Sequence, residues 1–249
     1  MRLGLIGGSL SLLTLLAGGA VAQAAGAPTM PYAKTWTCSS SAPPAAAYQD
    51  RLTGKVGGAL YVAAADLTRG CVVFYTATGS TWRRTVVSST PMRGGGASLE
   101  AGQFINPRDG WLLVAGMPGA GQMAHVLFHT VNGGATWTQQ PLEGQPFPSS
   151  DEVVAMRFTS PATGWLDAVN DFYGPPRLFV YGTSDGGARW TSTYVALPAA
   201  DATLGYDRAT APSFTTPLKG TIRVTSSQSR PSLIFATTDG GLHWLLSSH

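Results

Sequence analysis

Past its first two dozen residues the chain alternates short apolar runs with turn residues, at the period expected of strands rather than helices. The segment from 153 to 196 shows the pattern most clearly. Val153 to Thr159, Trp165 to Val169, Arg177 to Thr183 and Arg189 to Ala196 are each β-branched or aromatic in part, and each is bounded by Gly, Pro, Ser or Asp. Ser160-Pro161-Ala162-Thr163-Gly164 predicts a hairpin turn between the first two runs. Asp185-Gly186-Gly187 predicts another between the third and fourth, because glycine reaches positive φ at little cost. No convincing helical periodicity follows the N-terminal segment.

This four-strand unit recurs. Thr76-Ala-Thr78-Gly-Ser80-Thr-Trp82, Thr130-Val-Asn132-Gly-Gly134-Ala-Thr136-Trp137, Thr183-Ser-Asp185-Gly-Gly187-Ala-Arg189-Trp190 and Thr237-Thr-Asp239-Gly-Gly241-Leu-His243-Trp244 place their tryptophans at steps of 55, 53 and 54 residues. A second signature keeps the same phase. Phe104-Ile-Asn-Pro107-Arg-Asp-Gly110-Trp111 matches Phe158-Thr-Ser-Pro161-Ala-Thr-Gly164-Trp165, and Phe214-Thr-Thr-Pro217-Leu-Lys-Gly220 follows. A four-stranded antiparallel unit repeated at this interval predicts an all-β fold, a β-propeller of about four blades, near 48–90, 97–142, 153–198 and 211–248. Thr35-Trp36-Thr37-Cys38 reads as one extra strand ahead of the first blade, within an extended segment 25–47. A four- or five-unit ring, an open arc and a dimer completing a larger ring all remain open.

The third and fourth turns match the Asp-box pattern Ser/Thr-x-Asp-x-Gly-x-x-Trp at every defined position. The second has Asn132 in place of Asp, and the first is degraded and one residue shorter. Together with the Phe-x-x-Pro-x-x-Gly-Trp turn, residues 50 to 249 resemble the exported BNR-repeat propellers related to photosystem II stability and assembly factors, and more distantly sialidases and sortilin. The resemblance implies a sialidase-like propeller. It also implies that Thr130, Asn132, Gly134, Trp137, Thr183, Asp185, Gly187, Trp190, Thr237, Asp239, Gly241 and Trp244 are structural turn residues. A side-chain oxygen would accept backbone N–H groups across each turn while the Trp ring packs between sheets.

Composition narrows the function classes. The 249-residue chain is 44% hydrophobic, enough to bury a core, and only 12% charged. Lys34, Lys55 and Lys219 are the only lysines, and the arginines are scattered. No basic tract marks a nucleic-acid partner. Arg2, the apolar stretch Leu3 to Ala20 and Ala22-Gln23-Ala24 predict a signal peptide over residues 1–24, a mature end near Ala25, and a secreted, periplasmic or extracellular protein with no membrane span after cleavage. Cys38 and Cys71 are the two cysteines of the chain, compatible with one disulfide or with two buried thiols.

No catalytic residue, metal site or cofactor is predicted. A sialidase-type hydrolase needs three arginines around a carboxylate, a Tyr–Glu pair and an acid/base Asp. The chain offers three glutamates, Glu100, Glu143 and Glu152, and lacks the early Arg-Ile-Pro signature. His125 and His129 lie four apart on a predicted strand, about 13 Å, too far for one ion. The expectation is a non-enzymatic scaffold that binds a protein partner, with Arg108, Arg157 and Arg223 as a candidate surface. The alternative is a carbohydrate-active propeller, lectin-like or hydrolytic, whose partner is an envelope polysaccharide.

Overall fold

The computed structural model describes residues 50–65, 71–78, 81–88, 97–116, 123–140, 142, 152–170, 177–198, 206–226 and 231–248. The expected signal peptide, the expected strand at Trp36 and Cys38 fall outside the described residues. What is described is all β: four antiparallel sheets, each built in chain order. The first holds β1 (Asp50–Val56), β2 (Ala59–Ala65), β3 (Val72–Thr78) and β4 (Thr81–Ser88). The second holds β5 (Ser98–Phe104), β6 (Gly110–Ala115), β7 (His125–Thr130) and β8 (Thr138–Gln140). The third holds β9 (Glu152–Phe158), β10 (Gly164–Asn170), β11 (Arg177–Thr183) and β12 (Thr191–Val195). The fourth holds β13 (Tyr206–Ala209), β14 (Ser213–Phe214), β15 (Gly220–Ser226), β16 (Leu233–Thr237) and β17 (Leu245–Ser248).

The fourth sheet begins at Tyr206, earlier than the expected 211, because its first strand is in two pieces. Both β13 and β14 pair with β15, and the chain between them contains Pro212, which has no N–H to give a ladder. Thr210 carries the pairing across this break. Its N–H donates to Arg223 O (2.9 Å), and its Oγ1 accepts from Arg223 N (3.1 Å).

Sheets pack face to face in sequence, with β1 beside β5, β5 beside β9 and β9 beside β13, as propeller blades do around their first strands. Three apolar layers fill the junctions. Phe74, Leu99 and Leu112 belong to the first, Leu113, Leu127 and Leu166 to the second, and Leu178, Ile222 and Phe235 to the third. Consequently β6 and β10, covered on both faces, are buried almost end to end. By contrast β15 alternates, with Thr221 and Arg223 exposed. Among the described residues, β13 does not pack on β1 in the way the other first strands pack on one another.

One aromatic device recurs at every junction. Phe104, Phe158 and Phe214 end a first strand and lie directly opposite Gly110, Gly164 and Gly220. A Cβ on those glycines would come within 2.5, 2.3 and 2.8 Å of the ring. Each Phe then meets an aromatic from the preceding sheet: Phe158 stacks on Trp111 (3.9 Å between centroids) and Phe214 on Trp165 (4.1 Å), while Phe104 packs against Tyr61 at a tilt of 53° (5.2 Å). Its edge meets the tryptophan of its own sheet, Trp137, Trp190 or Trp244, at 6.0, 6.2 and 6.1 Å. The first and last sheets break the series. Register puts Lys55 where the other sheets have Phe, and Thr221 where they have Tyr61, Trp111 or Trp165.

The glycine requirement is testable. Gly164→Ala should lower stability by about 1–3 kcal/mol through overpacking against Phe158. Gly182→Ala, where the new Cβ meets only ordinary contacts from 3.6 Å, is the control and should stay within about 0.5 kcal/mol. Thermal melts of the two variants check the difference.

Candidate functional site

The Thr-x-Asp/Asn turns are three near-identical hydrogen-bonded loops. In the third sheet Thr183 Oγ1 donates to Asp185 Oδ1 (3.0 Å) and accepts from Gly187 N (3.0 Å), while Asp185 Oδ1 also accepts from Arg189 N (2.8 Å). Thr130, Asn132, Gly134 and Thr136 repeat this geometry at 3.0, 3.0 and 2.9 Å. Thr237, Asp239, Gly241 and His243 do so at 2.7, 3.0 and 3.0 Å. The glycine pairs 133–134, 186–187 and 240–241 all have positive φ, so the glycines are required by the backbone.

Each loop is also clamped to the other sequence signature. Gly133 N donates to Arg108 O (2.9 Å), Gly186 N to Ala162 O (2.8 Å) and Gly240 N to Leu218 O (2.9 Å). Two motifs share one period because each closes the other's backbone hydrogen bonds. In the first sheet β3 and β4 pair as far as Thr78↔Thr81, so no room is left for such a loop.

These turns spend the carboxylates inside themselves. The backbone N–H of Arg189, with help from Thr183, holds the Asp185 carboxyl below the usual range. Asp239 is held lower still, first by the His243 side chain (2.6 Å from Oδ2), then by Thr237 and the His243 N–H. Trp190 Nε1 donates to Gly187 O (3.0 Å), and Trp111 Nε1 reaches Gly186 O in the next sheet (3.3 Å).

The three arginines are exposed but not brought together. Arg108 sits in the turn after β5, where Nε donates to Val131 O (3.2 Å). Arg223 lies on the outer face of β15, bound to Ser232 Oγ (2.7 Å). Arg157 is on β9, paired with Trp165 in the β9–β10 ladder, and is exposed. Its counterpart in the second sheet, Gln103, bridges sheets by exchanging two bonds with the backbone of Phe158, at 2.9 and 2.7 Å.

His125 and His129 occupy opposite ends of β7. His125 lies 3.4 Å from Glu100, and His129 lies 3.9 Å from Asp109 and stacks on Trp111. Burial lowers the pKa of His129, with Asp109 opposing. Among the described residues no group of three His, Cys, Asp or Glu side chains could hold a metal ion. Cys71 is buried just before β3 and is disulfide-bonded. Its expected partner Cys38 lies outside the described residues, as does Glu143.

The sequence reading passed over Asp167. It is fully buried in β10 on the face that carries Trp165 and Val169 against the fourth sheet, and among the described residues neither carboxyl oxygen has a hydrogen-bond partner. Burial raises its pKa well above the ordinary value, because a carboxylate there would lose its hydration. The signal was present in the run Trp165-Leu-Asp-Ala-Val169, where alternation puts the carboxyl on the inter-sheet face.

No protein-family model matches the chain, and the search of curated proteins returns no match. Among solved structures, a point mutant of the NanB sialidase from Streptococcus pneumoniae aligns at 13% identity with a TM-score of 0.42, over 67% of this chain and 26% of the sialidase. The GH74 xyloglucanase from Xanthomonas campestris aligns at 15% identity with a TM-score of 0.35, over 76% of this chain and 36% of the enzyme. The chain thus matches about a quarter to a third of the length of these proteins.

Asp167 generates a pH signature of its own. Below the unfolded-state value near 4 both states are protonated and burial of the acid costs no ionisation. As pH rises, the unfolded carboxyl ionises first, and stability falls until the folded pKa is reached. Asp167→Asn removes that loss, so its melting temperature should gain on the wild type as pH rises above about 4. A difference that stays constant with pH would contradict the assignment.

Proposed function

We propose that this protein is an exported, non-enzymatic β-propeller of about four BNR-type blades that acts as a scaffold for a protein partner. The support comes from where reactive groups go. The Thr-x-Asp carboxylates are consumed by their own turns, Asp167 is sealed between sheets, and Glu100 faces His125. The observation that carries the reading is Arg157. It is an exposed guanidinium on a first strand, at a position where the neighbouring sheet uses Gln103 for internal bonding. A fork of N–H donors on a rigid strand suits recognition of carboxylates on an acidic peptide surface.

The scaffold is expected to work in the envelope or outside the cell, without a cofactor and without nucleic acid. The sequence resemblance to assembly factors supports the same reading. Among the described residues no helix is long and apolar enough to cross a membrane.

Two assays test this reading together. The secreted protein should leave a panel of aryl glycosides, sialosides and xyloglucan oligomers intact. It should also bind an oligo-glutamate peptide in a salt-sensitive manner, weakened at least about tenfold by Arg157→Glu, equivalent to ~1.4 kcal/mol. Turnover of any glycoside, or peptide binding untouched by Arg157→Glu, would overturn it.

A further inference from the structure

The fourth sheet differs from its sisters on its outer rim. Structural equivalence, set by the shared hydrogen bonds of the turns, pairs Leu218 with Ala162 and Arg108, and Leu242 with Ala188 and Ala135. It likewise pairs Leu245 with Thr191 and Thr138, and Leu246 with Ser192 and Gln139. At four positions where the second and third sheets carry small or polar residues or arginine, the fourth carries leucine. These leucines are not turned inward: they are 58%, 60%, 74% and 36% exposed. Leu218 and Leu242 lie on two turns joined by the Gly240 N to Leu218 O bond, and Leu245 and Leu246 open the adjoining β17.

The edge at β17 is likewise unguarded. It is the last strand of its sheet among the described residues, and its sequence is Leu-Leu-Ser-Ser. Sister edges carry protection of the usual kind. Arg83 and Arg84 lie on β4, β8 is a three-residue polar strand, and β12 opens Thr191-Ser192-Thr193.

We infer that the β17 edge and its leucine rim form a two-fold interface with a second copy of this chain. An antiparallel strand pair is its own symmetry mate, so one uncharged edge satisfies the N–H and C=O groups of another without a new sequence. The leucines expose on the order of 400 Å² of apolar surface, a size that marks interaction sites rather than chance exposure. Burying that patch and the strand edge on both copies removes about 1,000 Å², which meets the lower bound for a specific contact. Charge permits it as well. Both signs, Lys219 and Asp239, stand beside the leucines, so two copies meet without a like-charge field.

Sedimentation velocity of the secreted protein tests the interface. The wild type should pass from monomer to dimer below about 100 μM. A variant given the third sheet's own residues, Leu218→Ala, Leu242→Ala and Leu245→Thr, should remain monomeric at that concentration with an unchanged near-UV spectrum. Independently, Ser247→Cys should cross-link as a covalent dimer under mild oxidation. A monomeric wild type, a dimer insensitive to the triple variant, or leucine-dependent binding to anionic lipid vesicles by a protein that stays monomeric would each overturn the proposal.

Discussion

A phenylalanine lying on a glycine, and then on the aromatic ring of the neighbouring sheet, is the contact on which the rest of this structure depends. The glycine sits at the start of a second strand, where a Cβ would collide with the ring, and its absence lets the ring lie flat. From there the ring reaches both the preceding sheet and the tryptophan of its own turn. Local geometry and inter-sheet packing are therefore one interaction. Such aromatic pairs contribute roughly 0.5–1.5 kcal/mol each beyond the area they bury. Here they recur at each junction, so the sheets are aligned by repetition of a single contact.

The same contact changes at the first and last of the described sheets. Lys55 and Thr221 take the Phe and Trp positions there, and the outer face of β15 shows Thr221 and Arg223 to solvent. Thr221 and Arg223 thus give the fourth sheet a polar outer face among the described residues. The first sheet's outer face is treated differently. Val62, Ala64, Val73 and Tyr75 are buried there together with Cys71.

Much of this was legible in the sequence because it is periodic. The tryptophan steps located the sheets, and the Asp-Gly-Gly turns located the hairpins. The strands read in the third copy lie within about two residues of those observed. What the sequence hid was pairing across sheets. That Phe158 rests on Trp111, or that Gly186 bonds to Ala162, follows from three-dimensional register and not from spacing. The split of β13 from β14 escaped because the first strand of the last copy lacks its own hydrophobic run. The candidate site was least legible. Arg108, Arg157 and Arg223 look alike in a sequence, yet they occupy a turn, a first strand and an outer face. Asp167 was passed over, although the alternation of Trp165-Leu-Asp-Ala-Val169 already placed its carboxyl on the inter-sheet face.

The most direct measurement is a double-mutant cycle on Trp165 and Phe214, each replaced by Leu singly and together, followed by equilibrium unfolding. The account predicts a coupling energy of about 0.5–1.5 kcal/mol, because either substitution alone already removes the stack. Strictly additive losses would mean that the two rings stabilise their sheets independently, and the junction would then owe its alignment to something else.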